Sequence, residues 1–181
     1  MVSLEKYKEE KPFFLKRLIW EILNKTIFRI LVGKQCYRVR NFLLTLFGAK
    51  LDNRCLIYPS CTIFAPWNLE VGFKSCIGPR VNLYNKAKLV IGDNVVISQE
   101  SEICTASHDI ESHTMNLIKK DICIKNKVWI CSQVFIGPGV TIGEGSVIGA
   151  RGVIFKDVNP WEVWCGNPAK FVKKRIITNE R

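Results

Sequence analysis

Histidine and methionine are the scarcest residue types in this chain, with two of each among 181 residues. Two histidines, His108 and His113, cannot supply the three imidazoles of a zinc hydrase, which excludes that class of metalloenzyme. The eight cysteines contain no Cys-x-x-Cys pair, so zinc ribbons, thioredoxin-like motifs and haem attachment are also excluded. We expect neither a secretory leader nor a membrane span, because 1–11 lacks an apolar core and 12–32 is interrupted by charges. A cytoplasmic protein with reduced thiols is the resulting expectation.

Acidic side chains are also few: 16 Asp and Glu stand against 27 Lys and Arg, a net charge of +11. The excess lies at the ends, with 11 basic and 4 acidic residues in 1–50 and 5 against 1 in 170–181. Residues 51–169 carry equal numbers of both signs. A neutral body with basic ends indicates separate attachment points for anions, and the C-terminal run holds a single aromatic residue, Phe171, rather than the series of aromatics that stack on nucleic-acid bases.

Aliphatic residues recur at every sixth position through the middle of the chain. Glycine stands one position after many of these anchors, and six of the 12 glycines fall in that column. The register slips by two residues at 69–70 and again at 89–90. The anchors are Leu51, Ile57, Ile63, Val71, Ile77, Leu83, Ile91, Ile97, Ile103, Ile124, Ile130, Ile136, Ile142, Ile148 and Ile154.

A period of six fits short parallel strands joined by tight corners, with three strands to a coil. Each anchor then points inward and stacks on its copy in the next coil, about 4.8 Å away. Small residues are needed at the corners, where a Cβ would crowd the chain. The sequence therefore predicts an all-β triangular prism of about five coils over residues 51–158.

Apolar positions at helical spacing predict two helices, Pro12–Val32 and Arg38–Phe47, within a basic amphipathic segment 1–50. These helices can cap the open edge of the first coil or rest on an anionic membrane, and the two roles are compatible. The interruption of the repeat predicts a loop insertion over 109–121. Residues 159–181 are expected to form a turn and a short basic tail.

The repeat resembles the hexapeptide-repeat acyltransferases, which implies a left-handed parallel β-helix. The handedness follows from the resemblance alone, since the general preference for right-handed crossovers predicts the opposite. Further segments are similar to the colanic-acid-type exopolysaccharide biosynthesis acetyltransferases, with the galactoside, maltose and nodulation-factor acetyltransferases as more distant relatives. They are Phe47-Gly48-Ala49-Lys50, Ile57-Tyr58-Pro59-Ser60, Ala65-Pro66-Trp67-Asn68-Leu69-Glu70, Val81-Asn82-Leu83-Tyr84, Ser98-Gln99-Glu100, Cys104-Thr105-Ala106-Ser107-His108-Asp109 and Gly166-Asn167-Pro168-Ala169-Lys170.

The resemblance implies direct transfer of acetyl from acetyl-CoA to a sugar hydroxyl of an exopolysaccharide or lipid-linked glycan precursor. An alcohol is a poor nucleophile at neutral pH, and His108, at the exit of a strand into the loop, matches the family's general base. The resemblance also makes the Ser132 amide the oxyanion donor. The group that orients the other imidazole nitrogen stays open among Glu100, Glu102, Asp109 and a main-chain carbonyl. The second histidine belongs to no strand and is expected to be incidental.

The resemblance also divides the site into an acceptor side and a cofactor side. Asn82 matches an acceptor-side asparagine, and Trp129 an aromatic residue beside the acetyl arm. Ala150 matches a corner position that lets the pantetheine lie against the backbone. Phe155 departs from relatives that carry Thr before the basic residue, which weakens the case for a contact there. The residues implied to bind acetyl-CoA are Ser132, Ala150, Lys156, Lys170 and Lys173.

Asn82 and His108 end different strands of successive coils, so they could line one pocket only where two subunits meet. The family's usual assembly, a homotrimer with sites between subunits, is compatible with this spacing. An alternative acceptor is a small soluble sugar, a sugar nucleotide or an amino sugar. A non-enzymatic scaffold whose basic ends bind membrane or nucleic acid is disfavoured by the intact His108 and Trp129. No metal is expected.

Overall fold

The computed structural model describes residues 12–178. Its N-terminal part contains helices α1 (Phe14–Lys25), α2 (Ile27–Ile30) and α3 (Tyr37–Leu46). The single helix expected over 12–32 is therefore wrong, because the chain breaks at Thr26. The Thr26 hydroxyl donates to the carbonyl of Ile22 one turn back, and its φ and ψ of −117° and −90° leave the helical region. The part of the expected basic segment before residue 12 lies outside the described residues.

The rest of the chain forms three sheets, which we name A, B and C and whose strands are parallel except for the last strand of B, and one projecting hairpin. Sheet A contains β1 (Lys50–Leu51), β4 (Leu69–Val71), β7 (Leu89–Ile91), β12 (Ile122–Ile124) and β15 (Thr141–Ile142). Sheet B contains β2 (Leu56–Ile57), β5 (Cys76–Ile77), β8 (Val96–Ile97), β13 (Trp129–Ile130), β16 (Val147–Ile148), β18 (Glu162–Gly166) and β19 (Ala169–Lys174). Sheet C contains β3 (Thr62–Ile63), β6 (Asn82–Tyr84), β9 (Glu102–Cys104), β14 (Phe135–Ile136) and β17 (Val153–Ile154), and the hairpin consists of β10 (Ala106–His108) and β11 (Leu117–Lys119).

The chain visits sheets A, B and C in turn, which confirms the predicted prism of five complete coils. A partial sixth coil follows, formed by a bridge from Val158 to Ile142 and by β18. The anchors stack in register, as Ile77 pairs with Ile97 and Ile97 with Ile130. Nearly all of them are fully buried, and they form one continuous core with the helix residues Trp20, Phe28 and Leu44. Stacking one residue type on its copies explains why the sequence period sets the fold.

The glycine column is explained by close approach between coils rather than by backbone conformation. A Cβ at Gly78 would lie 2.8 Å from the Ile97 carbonyl oxygen, and one at Gly143 would lie 2.4 Å from the Pro160 nitrogen. The left-handed conformation occurs instead three residues after nine of the fifteen anchors, and mostly at residues other than glycine. Those non-glycine residues are Lys74, Arg80, Asn94, Glu100, Lys127, Gln133 and Arg151.

Every irregularity of the repeat lies at the corner between sheets C and A. The two register slips correspond to the longer connections 64–68 and 85–88, and the third coil carries residues 105–121 there. The loop expected over 109–121 is an antiparallel hairpin that already begins at Ala106, with only 109–116 as its tip. The longer connections and the hairpin therefore project from the prism without interrupting its stacked strands.

The N-terminal helices cap the open edge of the first coil. Four side chains donate to carbonyl oxygens that no strand pairs: Trp20 Nε1 to Ile63 (2.7 Å), Asn24 Nδ2 to Cys61 (3.2 Å), Arg40 Nε to Ile57 (2.9 Å) and Asn41 Nδ2 to Cys55 (2.9 Å). Buried carbonyls left without a donor are costly, so these contacts fix both helices against the prism.

At the other end of the prism β18 and β19 form a hairpin, so the expected turn joins two strands and the expected basic tail begins as β19. Glu162 at its base is buried and accepts hydrogen bonds from Lys174 (2.8 Å) and Trp164 (2.9 Å). These donors lower the pKa of Glu162 below its ordinary value. Of the expected basic tail, residues 179–181 lie outside the described residues.

Candidate active site

His108 is the last residue of β10 and is exposed on the projecting hairpin. Its Nδ1 lies 2.6 Å from the main-chain oxygen of Met115, across the hairpin tip. Because a carbonyl oxygen only accepts, Nδ1 must carry the proton in this contact, and Nε2 of the neutral ring is left with its lone pair. The imidazole is therefore held in the tautomer that a general base requires.

A main-chain carbonyl thus orients the ring, which answers the question that the sequence left open. The three candidate carboxylates accept hydrogen bonds from other groups. Asp109 accepts from the Glu111 amide (3.0 Å), and Glu102 accepts from Asn82 Nδ2 (3.2 Å). Glu100 accepts from Arg80 and Gln133, which lower its pKa below the ordinary value. His113 is exposed at the hairpin tip.

The hairpin tip is built to present the Met115 carbonyl. Met115 has φ +48°, a left-handed backbone conformation that residues other than glycine rarely adopt. Its amide donates to Ser112, and the Ser112, Thr114 and Asn116 side chains form a hydrogen-bonded chain across the tip. These contacts compensate the strained residue. Neither the partner nor its conformation follows from the hexad period.

The corner between sheets B and C brings Trp129, Ser132 and Ala150 together. Trp129 projects from β13 with 47% of its surface exposed, and its Nε1 donates to Ser98 Oγ at 3.1 Å. Ser132 lies in the turn that follows, and its amide donates no hydrogen bond to another described residue. Ala150 stands in the equivalent turn one coil further, where the Arg151 amide donates to the Ser132 carbonyl. An aromatic face, an available N–H and a small corner residue therefore share one edge of the prism.

Lys156 and Lys170 line one cavity of about 410 Å³ at the C-terminal end. The C-terminal hairpin forms one wall through Trp164 and Phe171, and Phe155 forms part of the other. Phe155 also contacts the ring of Phe135, with centroids 5.6 Å apart, so it is an apolar wall and offers no hydroxyl. Both lysines are exposed at their ends and can meet an anion there. Lys173 is exposed on β19 but does not line this cavity.

Asn82 opens onto a second cavity, of about 270 Å³, between sheet C and helix α1. Arg17 of the helix contributes to it and lies over the Phe64 ring, 5.3 Å from its centroid. Tyr84 packs edge-on against Phe64 beside it. Sequence reasoning missed this helix wall, because the helical pattern shows which residues are apolar but not which coil they reach.

His108 lies apart from Asn82, Ser132 and Ala150 within one chain. Asn82 pairs in register with Glu102 at the start of sheet C, and His108 follows Glu102 by six residues, beyond the next corner. Extended chain of that length spans up to about 20 Å. One chain therefore carries His108 at the C–A corner, and Asn82, Ser132 and Ala150 at the B–C corner.

Among residues 12–178 no group of three His, Cys, Asp or Glu side chains could hold a metal ion. The eight cysteines are unpaired, and burial raises the pKa of Cys55 to about 11 and of Cys61 to about 12. Those two thiols stay protonated near neutral pH and cannot act as nucleophiles.

Comparison with solved structures defines the class to which this fold and site belong. An acetyltransferase of Vibrio cholerae O1 biovar eltor, complexed with acetyl coenzyme A, superposes with a TM-score of 0.82 at 26% identity, covering 98% of this chain and 97% of that one. A maltose O-acetyltransferase of Clostridium difficile 630 gives 0.82 at 27%, covering 98% and 99%. A galactoside acetyltransferase in complex with coenzyme A gives 0.82 at 26%, covering 93% and 84%. The chain is a hexapeptide-repeat acetyltransferase with the left-handed β-helix that the resemblance implies.

Sequence relatives narrow the class. WcaF of Escherichia coli (strain K12), named as a colanic acid biosynthesis acetyltransferase, is 42% identical over 165 residues, 91% of this chain and 90% of the relative. WcaF of Shigella flexneri matches to the same extent. No family model matches the chain. The chain belongs to the family of the colanic acid biosynthesis acetyltransferases.

Proposed function

We propose that this protein transfers the acetyl group of acetyl-CoA to a sugar hydroxyl of an exopolysaccharide or of a lipid-linked glycan precursor. The observation that carries the proposal is the 2.6 Å contact of His108 Nδ1 with the Met115 carbonyl, which leaves Nε2 as a base. The WcaF relatives support the acceptor class by their name, and two solved relatives hold acetyl coenzyme A or coenzyme A. We place the reaction in the cytoplasm, where exposed thiols such as Cys165 stay reduced.

The reaction then needs one base and one oxyanion donor. His108 Nε2 takes the hydroxyl proton while the hydroxyl oxygen attacks the thioester carbon. The Ser132 amide stabilises the oxyanion that forms on the carbonyl oxygen. Collapse of this intermediate breaks the carbon–sulfur bond, and the coenzyme A sulfur leaves with the proton held by the imidazolium. No group on the enzyme is acylated.

The cofactor would lie along the B–C corner towards the C-terminal cavity. Ser132 and Ala150 stand on that corner in successive coils, so pantetheine could run along the prism edge. Lys156 and Lys170 at the cavity would meet the phosphates, with Lys173 further along β19. Trp129 would flank the acetyl arm, and Asn82 would contact the acceptor.

Because His108 and the B–C corner lie apart in one chain, we propose that the working enzyme is a homotrimer with sites between subunits. One subunit supplies His108, and its neighbour supplies Asn82, Trp129 and Ser132. A small soluble sugar is the second candidate acceptor, supported by the maltose and galactoside acetyltransferases among the structural relatives. Assays with free sugars and with lipid-linked saccharides separate the two acceptors.

The test compares His108→Ala with His113→Ala, two histidines of the same hairpin. Thermal shift with acetyl-CoA and desulfo-CoA should show stabilisation of wild type and of both variants, because neither histidine binds the cofactor here. Acetyl transfer should fall by about 10²–10⁴-fold in His108→Ala only. Near-normal turnover in that variant would remove His108 as the base, and absence of any shift with wild type would remove acetyl-CoA as the donor.

A further inference from the structure

Helix α1 turns its apolar stripe away from the protein core. Trp20 and Asn24 form its buried face, and both hold carbonyls of the first coil. The apolar residues centred on the opposite side of the helical wheel are exposed. They are Phe14, Leu15, Leu18, Ile19 and Ile22. Surface helices usually bury such a stripe, so this face lacks the partner that its composition calls for.

Helix α3 repeats the same arrangement. Its buried residues Arg40, Asn41 and Leu44 face the prism, whereas Val39, Phe42 and Leu46 lie on the opposite side and are exposed. Ile27 and Ile30 of α2 add two more exposed apolar side chains beside a buried Phe28. All three helices therefore carry apolar side chains that do not contribute to the core.

Both stripes point in one direction. The buried faces of α1 and α3 bond to carbonyls on the same open edge of the first coil, so the opposite faces point away from that coil. Together they form an apolar end surface of the prism, which we name the basal face. It comprises Phe14, Leu15, Leu18, Ile19, Ile22, Ile27, Ile30, Val39, Phe42 and Leu46.

The positive charge of residues 12–50 indicates which partner the basal face binds. Residues 12–50 contain eight Lys and Arg and a single acidic residue, Glu21. Lys25, Arg29 and Arg38 are exposed on the same helices. A second copy docking face to face would bring two positively charged segments together, whereas anionic lipid headgroups would neutralise them. Apolar side chains bordered by Lys and Arg are the composition of helices that lie in a membrane interface.

We infer that the basal face docks peripherally on anionic membranes, with the α1 and α3 stripes inserted at the level of the acyl chain boundary. No helix within residues 12–178 is long and apolar enough to cross a bilayer. The prism then stands on the membrane by one end, with its axis along the bilayer normal. Under the proposed function, this orientation favours an acceptor that is itself carried on a lipid, and the docking itself does not depend on that function.

Vesicle sedimentation tests the docking. The vesicles are phosphatidylcholine alone and phosphatidylcholine mixed with phosphatidylglycerol, each at low and high salt. Wild type should bind the anionic vesicles and release as salt rises. The double variants Leu15→Ser/Ile22→Ser and Phe42→Ser/Leu46→Ser should each lose at least about tenfold in affinity, since burying one Leu or Ile contributes more than that factor.

Ile176→Ser/Ile177→Ser is the matched control, because it removes two exposed isoleucines that follow Arg175, which bonds to the Lys127 and Gly145 carbonyls of the fourth and fifth coils, away from the basal face. It should bind vesicles as wild type does. Failure of wild type to bind anionic vesicles, or equal binding by the basal variants, overturns the inference. A basal variant that instead dissociates a larger oligomer in light scattering assigns the face to a second copy. Acetyl-CoA thermal shifts on the same variants should match wild type, which separates this test from that of the catalytic proposal.

Discussion

At the scale of single residues, the decisive feature is one carbonyl held by a strained backbone. Met115 adopts φ +48° and aims its oxygen at His108 Nδ1. A left-handed backbone conformation costs a residue other than glycine about 1–2 kcal/mol. The hydrogen-bonded tip around Ser112 and Thr114 maintains it. This contact thus holds the His108 imidazole in one tautomer and one orientation.

Substitutions at Met115 should separate this positioning role from simple structural loss. Met115→Val should lower kcat by about tenfold or more while the KM for acetyl-CoA stays unchanged, because a β-branched residue resists left-handed backbone and moves the carbonyl. Met115→Gly should stay close to wild type, because glycine adopts this conformation without strain. Steady-state kinetics with both variants is the measurement. Equal losses in both would assign the effect to the methionine side chain rather than to the carbonyl.

The sequence placed His108 at a strand exit, because a break in the period is visible from the residues alone. It could not identify Met115 as the partner, since that contact depends on hairpin register and on one unusual φ angle. The carboxylates near in sequence were the obvious candidates, yet Glu100 is taken by Arg80 and Gln133 one coil below and one coil above. Hydrogen bonds between stacked coils therefore occupy side chains that look unpaired when one strand is considered alone.

At the scale of elements, the hexad period predicted the strands well because each anchor stacks on a copy of itself. The helices were harder, since an apolar stripe shows amphipathicity without showing which side faces the core. In α1 the core side is the polar-looking pair Trp20 and Asn24, and the apolar stripe faces outward. The reason is that the carbonyl oxygens at the open coil edge lack donors, and leaving them buried without hydrogen bonds would cost more than leaving the apolar stripe exposed.

Trp20→Phe tests that edge-capping role. It keeps the aromatic contacts with Phe28 and Phe47 but leaves the Ile63 carbonyl without its donor. We expect a loss of about 1–3 kcal/mol in the free energy of unfolding, measured by urea denaturation. Ile19→Ser on the exposed stripe of the same helix is the control and should change stability by less than about 0.5 kcal/mol. A Trp20→Phe protein as stable as wild type would show that the edge carbonyl is satisfied without the helix.

At the scale of the whole molecule, His108 lies apart from Asn82 and Ser132 in one chain, although the proposed reaction needs all three in one site. His108 lies at the C–A corner, whereas Asn82 and Ser132, the proposed acceptor contact and oxyanion donor, lie at the B–C corner. The continuous core stiffens the prism, so the strands that lead into the two corners keep their separation within one chain. In the proposed homotrimer, the C–A corner of each prism would lie against the B–C corner of its neighbour, a heterologous contact that closes into a ring.

Mixing two inactive variants tests this arrangement. His108→Ala and Asn82→Ala subunits should each assemble and each show little turnover alone. When they are co-expressed in equal amounts, about a quarter of the interfaces should pair an intact His108 with an intact Asn82, so activity should recover to roughly that fraction of wild type. Light scattering on the mixture checks that trimers have formed. Trimers without recovered activity would place both residues of each site in one chain, and the separation of the two corners would then need a hairpin movement to close it.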